Sequence, residues 1–141
     1  MDIKECLEKG LLKESVKDIN KALRSIEISK NKLDRAIRLK DKGFLEDAIV
    51  NIYSTMFHAG RALLFKDGFK EKSHYGLYVY IKEKYKDKLE IRFLNELDAL
   101  RIGRHEILYS LESAKINKGD VEDIISVAKD FISAVEKLMR K

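Results

Sequence analysis

The sequence predicts an all-α fold, an antiparallel up-and-down bundle of four to five helices forming one domain over residues 1–141. Three observations predict it. Apolar residues recur every three or four positions along most of the chain, the spacing that lines one face of a helix. There is no proline, a residue that costs about 3 kcal/mol inside a helix. Glycines stand between the periodic stretches, where chain reversals belong.

The elements follow in order. A short helix over residues 1–9 ends at Gly10. A long helix begins near Glu14, with Val16, Ile19, Leu23, Ile26, Leu33 and Ile37 as its apolar seam. Lys30 takes the one slot missing from that seam, and Gly43 sits where a left-handed cap would end it. The third helix, Phe44 to Asp67, is apolar nearly all round and stops at Gly68. Such a helix belongs in the centre of a bundle or at a subunit interface, and its girth predicts that the bundle pairs. Ser73 is the expected N-cap of a tyrosine-rich helix over 74–87. A further helix runs from Leu89 to Ser113, with Phe93, Leu94, Leu97 and Leu100 inward and Gly103 as a point of kinking. Asp120 caps the last helix, whose stripe is Val121, Ile124, Ile125, Ala128, Phe131, Ile132, Val135 and Leu138. Strands have little support. The best candidate, Tyr75 to Ile81, fits helical spacing equally well.

Composition excludes several classes. Hydrophobic residues at 45% and charged residues at 38% fit neither a disordered nor a membrane-embedded chain. Apolar runs such as Ala62-Leu63-Leu64-Phe65 fall far short of the roughly 20 residues a spanning helix needs. The start, Met1-Asp2-Ile3-Lys4-Glu5, carries charges where a signal peptide is apolar, and the single Cys6 precludes an internal disulfide. Both features favour the cytoplasm, with Cys6 a partly buried small residue. The net charge of +5 permits RNA or another acidic partner without demanding one. Neither a glycine-rich phosphate loop nor zinc-ligand spacing is present, so no metal or cofactor is expected.

One stretch stands out, Arg101-Ile102-Gly103-Arg104-His105-Glu106-Ile107-Leu108-Tyr109. On a helix Arg101, His105 and Tyr109 line one face, with Arg104 at its border. Two guanidinium groups, Arg101 and Arg104, hold a phosphate by bidentate hydrogen bonds. A histidine beside them, His105, is a residue type suited to acid or base work, and Tyr109 adds an orienting hydroxyl. The plain alternative is an ordinary solvated face, with Glu106 and Glu112 pairing the arginines.

The central helix carries Ala48, Tyr53, Met56, Phe57, His58, Ala59, Leu63 and Leu64. Gly68 and Lys72-Ser73-His74 follow, then Arg104 with Tyr109 five residues on. In order and spacing these three pieces, over about 14–138, resemble the small prokaryotic branch of the HEPN family. The resemblance implies a helical bundle that pairs as a homodimer and binds a nucleotide or RNA phosphate. It also implies a toxin–antitoxin setting with a nucleotidyltransferase antitoxin as partner. Tyr53, His58 and His74 become supporting site residues beside Arg101, Arg104, His105 and Tyr109. Many members are metal-independent ribonucleases using an Arg, four to six residues, then a His. This sequence departs from that pattern: His105 comes one residue too early after Arg101, and Tyr109 stands where a His would follow Arg104. Tyrosine, with an ordinary pKa of about 10, is a poor acid or base at neutral pH. Three readings follow: a dimeric binding protein, a ribonuclease toxin cleaving at the dimer cleft, and a structural interaction protein without a site.

Overall fold

A computed structural model describes residues 1–109 and 115–140, with only the backbone of Tyr109. The elements are α1 (Ile3–Glu8), β1 (Leu12–Glu14), α2 (Ile19–Asp41), α3 (Leu45–Asp67), β2 (Phe69–Glu71), α4 (His74–Tyr85), α5 (Ile91–Tyr109) and α6 (Lys118–Met139). The all-α expectation holds: α2, α3, α5 and α6 form the bundle, with α4 laid against it. Among the described residues no helix is long and apolar enough to cross a membrane.

Helix α3 is the axis of the molecule. It packs along α2 on one side and against α6, α5 and α4 on the others. Its buried residues, among them Ile52, Tyr53, Met56, Leu63 and Leu64, therefore face every direction. That accounts for its all-round apolar composition within one chain, so this helix does not by itself require a second copy. The αL conformation of Gly68 (φ 88°) ends it where the sequence predicts.

The second helix starts later than predicted. Asp18, not a residue near Glu14, is its N-cap, with the carboxylate accepting from Lys21 N at 3.0 Å. Residues 12–14 instead form a short antiparallel pair with residues 69–71, Leu12 opposite Glu71 and Glu14 opposite Phe69. Three-residue strands are too short to show a period of two, and their partner lies far along the chain. The predicted seam also shifts. Val16 is 82% exposed, and Ile19 and Leu23 are about half exposed. The buried face of α2 runs through Ala22, Ser25, Ile26, Ser29, Leu33 and Ala36. Small side chains let α2 lie close to α3, where Ser29 Oγ donates to the Thr55 carbonyl at 2.6 Å. That bond removes the cost of burying the hydroxyl.

Two smaller corrections concern Asp120 and Cys6. The last helix is capped by Asn117, which accepts from Asp120 N, so Asp120 lies in the first turn and favours the helix dipole there. Cys6 is fully rather than partly buried. The fifth helix is described to Tyr109; its expected continuation to Ser113 lies outside the described residues.

Ser73 does cap α4, accepting from Gly76 N at 2.8 Å. The tyrosines of α4 have a structural task. Tyr80 and Tyr85 donate to the same oxygen of Asp67, at 2.8 and 2.6 Å, and so tie α4 to the end of α3. Burial and that carboxylate raise both phenol pKa values, which keeps the donors protonated. The N-terminus of α4 is held from the other side, because Lys72 N donates to the Leu11 carbonyl at 2.9 Å. His74, the first residue of α4, is thereby fixed against α3 and α5.

Candidate phosphate cleft

Helix α5 presents Arg101, Ile102, Arg104, His105 and Glu106 to a cleft of about 360 Å³, and α4 adds His74 from across it. The sequence reading places both arginines and His105 on or beside one face, and the structure gathers them here. Tyr109 ends α5, and its side chain lies outside the described residues, as does Glu112.

Each arginine is braced by an aromatic ring. The Arg101 guanidinium lies 5.3 Å from the centre of the Tyr75 ring, and that of Arg104 lies 5.6 Å from Tyr53. Arg101 also donates to Asp98, three residues back, at 2.8 and 3.1 Å. Glu106 is the partner expected from the sequence, but Arg101 pairs with Asp98, whose i,i+3 spacing is itself a readable helix signal. Among the described residues no carboxylate lies within ion-pair distance of Arg104.

The supporting residues divide. Tyr53 is 2% exposed, and its Oη lies 2.8 Å from Nδ1 of His74. Burial pushes the Tyr53 phenol up to about 12, against the pull of Arg104 and Arg101, so the hydroxyl keeps its proton at neutral pH. The His74 pKa is lowered, first by burial and then by Arg104 and Arg101, which favours the neutral ring. The contact with Tyr53 fixes the ring at Nδ1 and leaves Nε2 to the cleft. His74 also begins a helix, where the backbone dipole favours an anion.

His58 does not join them. Phe57 stands between the histidines, its ring centre 5.6 Å from His58 and 4.9 Å from His74. Burial, with Arg61 and Lys32 nearby, lowers His58 to about 4. The unfolded chain holds a proton on this ring up to about pH 6.5, whereas the folded chain does not until about pH 4. His58 thus contributes stability above about 6.5 that is lost as the pH falls towards 4. The drop in urea midpoint between pH 7 and pH 5 should be larger in the natural protein than in His58→Gln. Equal drops would show that His58 does not carry this linkage.

Two comparisons bear on this arrangement. The sequence profile of the HEPN domain family matches residues 22–138. A candidate toxin of Methanocaldococcus jannaschii is similar, 27% identical over 139 residues that cover 94% of this chain and 98% of that protein.

Proposed function

The chain belongs to the HEPN domain family, and from that premise we propose that it is a toxin-type HEPN protein whose cleft binds the phosphate of an RNA or nucleotide. The carrying observation is the convergence of Arg101, Arg104, His105 and His74 on one cleft. Two planar guanidinium groups suit a phosphate diester, and a neutral imidazole beside them supplies a hydrogen bond without adding a charge to be desolvated. The similarity to a candidate toxin supports the toxin assignment. The active form is a homodimer: Ile102 and Leu108 on α5 leave about half their surface exposed, apolar area that a second copy would cover. The partner that restrains it, on this reading, is the nucleotidyltransferase antitoxin that the sequence resemblance implies. The test is equilibrium binding of a fluorescent single-stranded RNA across a salt series. Affinity should fall steadily with salt, as phosphate neutralisation requires. Absence of binding at low salt would end the reading.

A second reading, a metal-independent endoribonuclease, draws on His74. The linear Arg-to-His spacing is missing, but the fold brings an imidazole to the arginines from another helix. In this chemistry the 2′-oxygen attacks the adjacent phosphate and gives its proton to a histidine. The 5′-oxygen leaves with a proton from a second imidazole, forming a 2′,3′-cyclic phosphate. His74 and His105 fill those two roles, and the arginines offset the charge that develops on the phosphate. RNA incubated with the protein in excess chelator should yield cyclic-phosphate ends, and His74→Ala should lower the rate on the order of a hundredfold or more. Equal cleavage by both proteins would remove the catalytic reading and leave the binding one.

A further inference from the structure

His74 belongs to two depressions. On its far side from the arginines lies a second hollow of about 300 Å³, lined by Phe57, Lys70, Glu71, Lys72, Ser73 and His74. We propose that this hollow is the neighbouring nucleotide subsite, so that the ligand is a single strand of at least two nucleotides rather than a free nucleotide. The inference rests on the phosphate reading of the arginine cleft.

The local backbone explains the hollow's chemistry. Residues 69–71 are extended, so side chains alternate between faces there. Lys70 and Lys72 are exposed, while Glu71 between them is 9% exposed. The Glu71 carboxylate is paired with Arg61, with Nε and Oε1 2.7 Å apart, which offsets its charge beside the hollow, although its Oε2 has no hydrogen-bond partner among the described residues. The surface that remains is cationic. Ser73 Oγ accepts from Gly76 N and keeps its own hydrogen to donate. Phe57, whose ring also packs against His58 and His74, adds apolar carbon to the wall of the hollow, a surface against which an unpaired base can pack whatever its identity.

Size points the same way. Both hollows sit near the lower end of the roughly 300–1,000 Å³ typical of small-ligand sites, so each suits about one nucleotide. A strand crossing His74 would place one phosphate between Arg101 and Arg104 and another near Lys70 and Lys72. Duplex RNA hides its base faces, so the Phe57 surface selects a single strand.

The experiment compares two probes on the full chain, AMP and the octamer (rA)8. The octamer should bind at least tenfold tighter than AMP. Lys70→Gln/Lys72→Gln should weaken the octamer about tenfold and lower its salt slope by roughly one, while AMP affinity stays within twofold. Phe57→Leu should weaken the octamer alone. AMP binding as tightly as the octamer, or a lysine variant that leaves octamer affinity unchanged, overturns the subsite and leaves the cleft standing. Failure of both probes to bind the natural protein overturns the cleft reading and the subsite with it.

Discussion

Replacing Arg101 and Arg104 together by alanine should lower affinity for single-stranded RNA on the order of a hundredfold while leaving the melting temperature nearly unchanged. A hydrogen bond to a charged group contributes about 1.5–3 kcal/mol, and about 1.4 kcal/mol is a factor of ten. Two such contacts, discounted for a cleft open to water, give the stated order. Stability should hold because neither side chain is part of the buried core. The Arg101–Asp98 pair is partly exposed, with side chains 27% and 33% accessible, and pairs of this kind contribute about 0–1 kcal/mol. Lysine at the same positions keeps the charge and loses the planar fork. It should recover part of the affinity, with less dependence on phosphate geometry. Full affinity in the double alanine variant would place RNA binding elsewhere on the molecule.

Gly76→Ala should cost about 3 kcal/mol or more, enough to threaten folding at ordinary temperatures. A Cβ on Gly76 would clash with the Leu11 carbonyl oxygen and lie 3.0 Å from its carbon. These are backbone atoms, and that same carbonyl accepts from Lys72 N, so it has little room to retreat. Gly103→Ala is the matching control. Among the described residues nothing lies within 4 Å of its Cβ position in the middle of α5, so alanine there should stabilise by about 0.5–1 kcal/mol. Urea denaturation of the two variants measures both effects. Similar midpoints for the two would refute the steric account of Gly76.

The helices were legible because their signals are local. The glycine stops at Gly43 and Gly68, the Ser73 cap and the α6 stripe all act within a few residues. The β1–β2 pair was not, because it joins three-residue segments on either side of a long helical hairpin. The buried face of α2 was legible only in part: Ile26 and Leu33 of the predicted seam are buried, whereas Val16, Ile19 and Leu23 are exposed. Its large apolar residues drew attention, but close approach to α3 is made by Ala22, Ser25, Ser29 and Ala36. At the cleft, both arginines and His105 could be grouped because one helix carries them. The pairing of His74 with Tyr53 depends on how α4 leans on α3, which no spacing rule encodes. His58 and His74 look alike in the sequence, and only packing separates them, one on each side of Phe57.

The β1–β2 pair also bears on how the protein is cut for study. The family match begins at residue 22, after α1 and β1. Yet Leu11 receives the backbone of Lys72, Ser15 N donates to the Gly68 carbonyl, and Asp18 N donates to that of Phe65. The first eighteen residues act as a splint on the segment that carries Lys70, Lys72 and His74. A chain begun at the family boundary would keep α3, α5, α6 and all but the first turn of α2, and lose the brace. Such a fragment should remain largely helical by circular dichroism and bind RNA poorly, so a negative result from it would be misattributed to the cleft.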